Sequence, residues 1–163
     1  MNIRPVKLED APQVTEIYNY YIQNTHHTFE TEPLSIEETK VRISKIIANY
    51  PYLVAEEDGE ILGYTHAGRF KLRQAYEHTC EVMIYVKNDA KKRGVGTNLY
   101  MDLFDVLEES DIHVMIAGIA LPNDSSVKFH ERLGFVKAAH FKEIGYKLGR
   151  WIDVGYWQLI NRV

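Results

Sequence analysis

The spacing of hydrophobic residues predicts two amphipathic helices in the first third of the chain. Asp10 and Gln13 form a D-x-x-Q capping box, which predicts a helix that begins at Asp10. Its apolar face is formed by residues at helical spacing, namely Val14, Ile17, Tyr18, Tyr21 and Ile22. Ser35 and Glu38 form a second capping box, which predicts a helix to about Asn49. Residues 24–33 between them show no period and end at a proline, so a loop is expected there.

Seven further segments are rich in β-branched and aromatic residues and predict strands. They cover residues 2–6, 51–57, 60–70, 78–86, 113–120, 135–141 and 151–160. Asp58-Gly59 joins the second and third of them, which is typical of a hairpin turn. The run 113–120 is almost entirely apolar, so we expect a central strand that is covered on both faces.

Two more helices are predicted in the second half. One runs from about Gly94 to Glu109, with apolar residues every four positions at Val95, Leu99, Leu103 and Leu107. The other begins after Asn123 or Asp124 as N-cap and ends at Gly134. The resulting order β α α β β β α β α β β predicts an α/β (α+β) fold with a mixed sheet. We expect residues 1–163 to form a single domain.

Composition narrows the class of protein. The net charge of −4 argues against general nucleic-acid binding, which usually needs a basic surface. A single cysteine, Cys80, excludes an internal disulfide and favours a reducing compartment, so a cytoplasmic protein is expected. The first residues lack the apolar core of a signal peptide, and no run of 18 apolar residues predicts a membrane span.

The segment KNDAKKRGVGTNLY (residues 87–100) has the character of an anion-binding loop. A P-loop is excluded because Thr97, not lysine, follows Gly96, and a dinucleotide fingerprint is excluded because Leu99 takes the third glycine position. Glycines let backbone N–H groups approach an anion, and the start of the next helix adds its dipole. The spacing alone equally permits a tight turn with solvated lysines.

This segment resembles the acetyl-CoA loop of the GCN5-related N-acetyltransferases (GNAT), whose pattern is [QR]-x-x-G-x-[GA]. The chain departs from it by having Lys91 at the first position. AYEHTCEVMIYV, IALPNDSSVKFHERLGF and GYKLGRWIDVGYWQL together look like the branch that acetylates phosphinothricin and methionine sulfoximine. The resemblance implies the GNAT fold over essentially the whole chain, with about four helices flanking the sheet.

The resemblance also implies which residues bind acetyl-CoA. The pyrophosphate would be held by Lys92, Arg93, Gly94, Val95, Gly96 and Thr97. The pantetheine amides would pair with the backbone of Ile84, Tyr85 and Val86, where the family's strand splays at a bulge. Asn123 would be a further contact to the cofactor.

Acetyl transfer needs a base, because an ammonium group has no lone pair with which to attack. Glu81 stands where the branch keeps its glutamate, and it shares a strand face with Met83 and Tyr85. A surface charge on the strand is the alternative. A backbone N–H on the splayed strand would stabilise the oxyanion.

The candidate proton donor for the leaving thiolate is His130, which lies where many members of the family have a tyrosine. A histidine that only packs beside the cofactor is the alternative reading. Cys80 alternates to the opposite side from Glu81, so direct transfer in a ternary complex is preferred to an acyl-enzyme. The histidines show no metal-binding spacing, and no metal is expected.

The acceptor implied by the branch is a small α-amino acid with a phosphinate, sulfoximine or sulfone side chain. Its anionic groups need cationic partners, which Lys71 and Arg73 would supply unless they are merely a solvated basic loop. The acceptor-binding residues are expected to be Phe29, Glu30, Lys71, Leu72, Arg73, Glu81, Val82 and Met83, and Tyr85 could complete the pocket.

Other hypotheses are a different amine, such as a protein N-terminus or a polyamine, and a non-catalytic acetyl-CoA sensor. A polyamine site should be acidic, which Lys71 and Arg73 oppose. The expected partners are therefore acetyl-CoA and a small amine, without nucleic acid or membrane. A homodimer is expected, with a contribution from the block around Trp151 and Trp157.

Overall fold

Seven strands and four α-helices are found in the computed structural model, which describes residues 1–91 and 93–161. The strands are β1 (Asn2–Pro5), β2 (Tyr52–Glu57), β3 (Glu60–Arg69), β4 (Thr79–Val86), β5 (Val114–Leu121), β6 (Val136–Lys147) and β7 (Arg150–Ile160). The helices are α1 (Ala11–Asn24), α2 (Ile36–Ile47), α3 (Val95–Glu108) and α4 (Asp124–Arg132). The predicted order of elements and the mixed sheet are confirmed.

The chain divides into two compact units. The first comprises Met1–Asn19, Leu34–Gly68 and Val82–Asp111, and the second comprises Tyr20–Pro33, Arg69–Glu81 and Ile112–Val163. The strand order is β1-β2-β3-β4 in the first unit and β4-β5-β7-β6 in the second, and the chain passes from one unit to the other within β4.

In the first unit, β1, β2 and β3 form an antiparallel meander. Asp58 and Gly59 at the β2–β3 turn both have positive φ, 51° and 82°, as a type I′ hairpin requires. The predicted apolar face of α3 is buried, with Leu99 and Leu103 fully excluded from solvent. The predicted β2–β3 turn and the predicted buried face of α3 are both confirmed. Both were predictable because they depend on residues close together in the chain.

The capping box predicted for Asp10 and Gln13 is wrong. The Asp10 carboxylate accepts a hydrogen bond from the Lys7 backbone N–H at 2.7 Å and pairs with the Arg4 guanidinium at 2.8 Å. The Gln13 side chain instead accepts from the Ile61 N–H and donates to the Gly59 carbonyl, which fastens α1 to the hairpin turn. Tertiary partners have thus replaced the local pairing.

In the second unit, β5 lies between β4 and β7, as expected of a central strand. It pairs in parallel with β4 and antiparallel with β7. Most of β5 is buried, but Gly118 is exposed, so the expectation that both faces are covered fails at that position. Helix α4 begins as predicted, with the Asn123 side chain accepting from Ser126 N, and Gly134 follows it with φ of 92°.

Strand β6 is longer than predicted. Its pairing with β7 shifts register between Phe141 and Gly145, where Glu143 takes a positive φ of 53°. This irregularity breaks the alternation of apolar and polar residues, so the sequence pattern ends at residue 141 although the strand continues to Lys147.

Within the described residues, no helix is long and apolar enough to cross a membrane.

The second capping box provides a test of the fold. Glu38 N donates to Ser35 Oγ at 3.1 Å, and Ser35 N donates to the Glu38 carboxylate at 2.7 Å, so the predicted reciprocal box is confirmed. We expect Ser35→Ala to lower the free energy of unfolding by about 1 kcal/mol, measured by urea denaturation. The control is Ser44→Ala at an exposed interior position of α2, which should be neutral or slightly stabilising. Equal losses in both variants would contradict a capping role.

Candidate active site

The Glu81 side chain lies against two residues of the neighbouring strands in the second unit. Glu81 pairs with Ile116 of β5, and Gly118 lies two residues further along that strand. A Cβ added to Gly118 would stand 3.5 Å from Glu81 Oε1 and 3.2 Å from a ring carbon of Tyr156. The missing side chain of Gly118 therefore leaves the space in which the carboxylate and the Tyr156 ring approach each other.

The Glu81 carboxylate is half-buried, and no described residue forms a hydrogen bond or ion pair with it. Burial raises the pKa of Glu81, because the charged form loses hydration without gaining a partner. Burial also raises the pKa of Tyr156, and the negative charge of Glu81 adds to this effect. A carboxylate with a raised pKa is a better proton acceptor near neutral pH than an ordinary one.

The sheet register extends this face toward the β6–β7 hairpin. Gly118 pairs with Tyr156, and side chains that point to the same face recur at every second residue of β7, including Ile152. Ile152 pairs with Gly145, on which the Phe29 ring lies. The Phe141 ring makes an edge contact with Tyr156 at 5.8 Å between centroids. Glu81 thus shares its face of the sheet with an aromatic surface.

Tyr156 was not identified from the sequence. It lies within the block GYKLGRWIDVGYWQL, whose resemblance assigned no role to this tyrosine, and only the pairing of β7 with β5 brings it to Glu81. The sequence feature that could have pointed to it is Gly118 in β5, since an isolated glycine in a strand often marks the close approach of another group.

His130 has the surroundings of a packed histidine. It is 3% exposed and lies between the rings of Phe129 and Phe135, each 5.3 Å away between centroids. Its Nδ1 is 2.8 Å from the Ser126 carbonyl oxygen, which assigns the proton to Nδ1. Burial lowers the pKa of His130, so the neutral ring is favoured. These contacts favour the packing alternative, and the acid role stays a prediction.

Cys80 is fully buried on the face of β4 opposite Glu81. Burial raises the pKa of the Cys80 thiol to about 12, so the thiol is protonated at neutral pH. A protonated, inaccessible thiol is a poor nucleophile. No group of acidic, histidine and cysteine residues suited to a metal ion occurs among residues 1–91 and 93–161.

The loop after β3 carries three of the residues predicted to bind the acceptor, Lys71, Leu72 and Arg73. Arg69 donates to the carbonyl oxygens of Lys71 and Leu72, which fixes the backbone of the loop. The Lys71 amino group lies over the Phe70 and Tyr76 rings, at 5.4 and 5.5 Å from their centroids. Leu72 is 83% exposed. The solvated-loop alternative and a binding role are both compatible with this arrangement.

The other predicted acceptor residues of the second unit lie in the early loop. Phe29 is partly exposed, and its ring packs on Gly145. Glu30 is half-buried and interacts electrostatically with Lys147. Neither Gly145 nor Lys147 was singled out from the sequence, because their role depends on the strand pairing.

The predicted pantetheine segment lies in the first unit, where β4 continues beyond its pairing with β5. The Thr65 hydroxyl donates to the Met83 carbonyl oxygen at 2.8 Å, and Lys87 N donates to Leu62 O at 2.8 Å. A Cβ on Gly63 would stand 2.9 Å from the Tyr85 carbonyl oxygen. Of the other residues predicted for this part of the site, Val82 is buried and Ile84 and Val86 are half-buried.

The glycine loop ends in a helix N-terminus. Gly94 is the N-cap of α3 with φ of 80°, which favours glycine, and no side chain caps the helix there. The N–H groups of Val95, Gly96 and Thr97, in the first turn, have no partner within the helix by its geometry. Lys92 lies outside the described residues.

Two cations of the same loop are held by neighbouring side chains. The Arg93 guanidinium forms an ion pair with Glu57, and this pairing lowers the pKa of Glu57. The Lys91 amino group donates to the Asn88 side chain at 2.9 Å. The predicted phosphate role of Arg93 therefore requires an exchange of partner.

Asn123, the predicted further contact of the cofactor, is the N-cap of α4 in the second unit. Its Oδ1 accepts from Ser126 N at 3.2 Å. The side chain therefore has a structural role as a cap, whatever else its amide group contacts.

Comparison with known proteins identifies the class. Residues 3–155 match the family model of the acetyltransferase (GNAT) domain. The chain therefore belongs to the GNAT family of acetyltransferases, as the sequence resemblance indicated. Within that family it lies in the phosphinothricin and methionine sulfoximine acetyltransferase branch, an assignment that rests on its relatives.

The relatives match over almost their whole length. The chain is 38% identical to the phosphinothricin N-acetyltransferase of Streptomyces viridochromogenes, over 97% of this chain and 86% of that protein. It is 31% identical to the L-methionine sulfoximine/L-methionine sulfone acetyltransferase of Salmonella typhimurium, over 98% of this chain and 94% of that protein. These enzymes are acyltransferases, the predicted class.

Solved structures agree on the fold. A phosphinothricin acetyltransferase from Sinorhizobium meliloti in complex with acetyl-CoA has a TM-score of 0.94 and 34% identity, and the match covers 98% of this chain and 87% of that one. A ribosomal-protein-alanine N-acetyltransferase from Brucella melitensis has a TM-score of 0.96 and 31% identity, with coverage of 99% and 100%. The predicted GNAT fold is confirmed.

The burial of Glu81 predicts how stability depends on pH. A carboxyl pKa that is raised by folding gives stabilisation that is complete below the unfolded pKa and is lost as the pH rises through the folded pKa. Glutamine resembles the protonated carboxyl group at every pH. We therefore expect Glu81→Gln to gain stability relative to the wild type between about pH 4 and about pH 8, measured by urea unfolding.

The control for this measurement is Glu32→Gln, at an exposed carboxylate of the early loop. Its free energy of unfolding should follow the wild type at both pH values. A constant difference between Glu81→Gln and the wild type would show that burial does not act on the Glu81 carboxyl group.

Proposed function

We propose that this protein transfers the acetyl group of acetyl-CoA to the α-amino group of a small amino acid or analogue, of the phosphinothricin, methionine sulfoximine or methionine sulfone type. The observation that carries the proposal is the Glu81 carboxylate, which is half-buried, without a described partner, and on one face with Gly118 and Tyr156. Membership of the branch supplies the reaction class, and the partly buried base supplies the chemistry.

The reaction proceeds by direct transfer in a ternary complex. Glu81 accepts a proton from the acceptor ammonium, directly or through water, and the free amine attacks the thioester carbonyl carbon. Attack forms the new C–N bond and a tetrahedral oxyanion, which collapses as the C–S bond breaks. The attacking nitrogen gives up its second proton to leave the neutral amide, and CoA departs as a thiolate that takes up a proton. The inert environment of Cys80 supports transfer without an acyl-enzyme.

The proton donor for the thiolate is the less supported part of this mechanism. His130 can donate from Nε2 only if that nitrogen carries the proton, and the bond between Nδ1 and the Ser126 carbonyl opposes this tautomer. The thiolate can equally be protonated by water. The proposal therefore rests on Glu81 and does not require His130.

The donor is held by residues that match the family's acetyl-CoA motif. The proposed contacts are Ile84, Tyr85, Val86, Lys92, Arg93, Gly94, Val95, Gly96, Thr97 and Asn123. The conformation of Gly94 and the uncapped start of α3 support binding of an anion, because they expose backbone N–H groups at the positive end of the helix dipole. The Sinorhizobium structure supports the identity of the anion, since it is a complex with acetyl-CoA.

The acceptor is held by residues of the early loop, the loop after β3 and strand β4. The proposed contacts are Phe29, Glu30, Lys71, Leu72, Arg73, Glu81, Val82 and Met83. An aromatic wall suits the aliphatic part of such an amino acid, and Phe29, Phe141 and Tyr156 provide one on the Glu81 face. Lys71 and Arg73 offer positive charge for the acceptor's anionic groups.

Acetylation of a protein N-terminus is the second candidate function. It is favoured by the similarity to the Brucella enzyme, whose name specifies a ribosomal protein. A polyamine acceptor is less consistent with the basic loop at Lys71 and Arg73. The half-buried Glu81 argues against a non-catalytic sensor, because burying a carboxylate without an ionic partner costs stability and a sensor would gain nothing from it.

We further propose that residues 1–163 form one catalytic domain and act in the cytoplasm as a homodimer, without nucleic acid or membrane as partner. The family match across both units supports a single domain. The β6–β7 hairpin exposes a group of large apolar side chains, Ile144, Tyr146, Leu148 and Trp151. Such a surface is typical of an interface between copies of one chain.

Trp157 does not belong to this surface, contrary to the expectation from the sequence. It is buried, and its indole N–H donates to Glu131 at 3.1 Å. Of the two tryptophans, only Trp151 is available to a partner, at 63% exposure.

The catalytic role of Glu81 is tested by the thiol released from acetyl-CoA with a panel of amino acids. Glu81→Gln should lower turnover by about a hundredfold or more at neutral pH and leave acetyl-CoA affinity nearly unchanged. Glu77→Gln, at an exposed acid four residues earlier, should keep wild-type turnover. An unchanged turnover in Glu81→Gln would show that Glu81 is not the base. The proposed acceptor class would be overturned if phosphinothricin, methionine sulfoximine and methionine sulfone all failed to release CoA.

The homodimer is tested by the molar mass in solution. Trp151→Glu places a charge in the apolar surface of the hairpin, so we expect it to convert a dimer to a monomer, measured by light scattering after size exclusion. Val41→Glu, at an exposed apolar position of α2, should keep the wild-type mass. A wild-type monomer at all concentrations would contradict the proposal.

A further inference from the structure

Lys147, at the end of β6, is buried to an unusual degree for a lysine. It is 5% exposed, and its amino group donates to the Thr28 carbonyl oxygen at 2.7 Å. The charge of Glu30 acts on the same amino group. One strand lysine therefore contacts Thr28 and lies within the electrostatic influence of Glu30, the residues on either side of Phe29.

The Phe29 ring occupies the space above Gly145, two residues before this lysine. A Cβ on Gly145 would stand 2.3 Å from Cε2 and 2.4 Å from Cζ of the ring, so no other residue fits there while the ring stays in place. The side chain of Phe29 remains partly exposed. The strand thus receives one side of the ring and leaves the rest open to solvent.

A third contact fastens the start of the same loop. Arg150, the register partner of Lys147, donates from Nη2 to His26 Nδ1 at 2.9 Å. This leaves Nε2 of His26 as the protonated nitrogen, which lies 2.8 Å from the Pro122 carbonyl oxygen. The end of the β6–β7 hairpin therefore holds the early loop at His26, Thr28 and Phe29.

These contacts lie on the catalytic face of the sheet. Lys147 and Gly145 are two residues apart on β6, and Gly145 pairs with Ile152, which shares its face of β7 with Tyr156. Tyr156 in turn pairs with Gly118, beside the Glu81 carboxylate. Tyr156 is the fourth residue after Ile152 on β7, so the Gly145–Ile152 pair lies about 13 Å along the strand from Tyr156.

We propose that Lys147 and Gly145 are positioning residues for acceptor selection, which hold the Phe29 ring as one wall of the acceptor site on the Glu81 face. This inference rests on the proposed function, because it assigns Phe29 to the binding of the acceptor's side chain. Lys147 acts through the loop backbone, and Gly145 acts through the space that it leaves for the ring.

The chemistry explains why a lysine is needed. Without the Lys147 amino group, the carbonyl oxygen of Thr28 loses the hydrogen bond from that amine, and the positive charge that acts on the Glu30 carboxylate is removed. Both losses loosen the segment that carries Phe29. Binding of the acceptor should be weakened. Binding of acetyl-CoA should be unchanged, because the proposed contacts of acetyl-CoA are not in this loop.

Lys147→Met keeps the aliphatic chain and removes the donor and the charge. We expect the KM for the amino acid acceptor to rise at least about tenfold, while the KM for acetyl-CoA and the kcat at saturating acceptor change less than about twofold. Lys147→Arg, which keeps a cationic donor, should recover part of the loss. Lys142→Met, at an exposed lysine of the same strand, is the matched control and should behave as wild type.

Gly145→Ala tests the same wall without changing the lysine. The added methyl group displaces the Phe29 ring, so the acceptor KM should again rise selectively. In a Phe29→Ala background the glycine substitution should have almost no further effect, because the clash has been removed. Additive losses in the double variant, or equal changes in the KM values of both substrates, would overturn the proposal.

Hydrogen exchange separates this inference from the proposed function. Lys147→Met should speed amide exchange in residues 26–30 and leave the rest of the described chain unchanged, whether or not any amino acid is acetylated. If the wild type acetylated no amino acid but the exchange effect appeared, the substrate class would fail and the loop anchor would stand. Unchanged exchange together with an unchanged acceptor KM would overturn the anchor itself.

Discussion

The antiparallel register between β5 and β7 is the constraint on which the acceptor side of the structure depends. It places Gly118 opposite Tyr156, and a slip of one residue would turn Tyr156 to the other face of the sheet. The same register fixes the face of Ile152, and through it the position of Gly145 in β6. One set of backbone hydrogen bonds thus decides which side chains accompany Glu81.

Glu81 is suited to accept a proton because its carboxylate lacks the interactions that usually stabilise the charged form. A carboxylate on a sheet surface is normally hydrated or paired with a cation, and either partner would keep its pKa low. Glu81 has only partial access to water and no described ionic partner. Two lysines of the second unit are engaged elsewhere, Lys71 over two aromatic rings and Lys147 on a loop carbonyl. This distribution leaves the acidic group poised to take a proton.

Features that depend on neighbouring residues in the chain were predictable. The Ser35–Glu38 box, the Asp58-Gly59 turn and the buried face of α3 follow from short-range chemistry and are found as expected. Asp10 and Gln13 carry a similar signal, but Arg4 and the β2–β3 turn offer those side chains stronger partners. The sequence could not show this competition, because the partners are distant along the chain.

The same distinction separates the parts of the candidate site. Glu81 and the glycine loop are contiguous motifs, so the resemblance to a family was enough to single them out. Tyr156 and Lys147 lie in a block that resembles the branch, but the resemblance assigned neither of them a role. Tyr156 matters because strand pairing brings it to Gly118, and Lys147 because its side chain reaches Thr28 of the early loop. The register shift between Phe141 and Gly145 interrupts the alternation of faces along β6, so the sequence pattern does not predict the face on which Lys147 lies.

The isolation of Cys80 has a practical consequence. It is the only cysteine in the chain, and it is fully buried as a protonated thiol. The folded protein therefore presents no thiol to a colorimetric reagent, and the signal of a CoA-release assay comes from the released coenzyme alone. Loss of the β4 packing would expose one additional thiol per chain, so the same reagent reports, without any label, how much of the protein has unfolded.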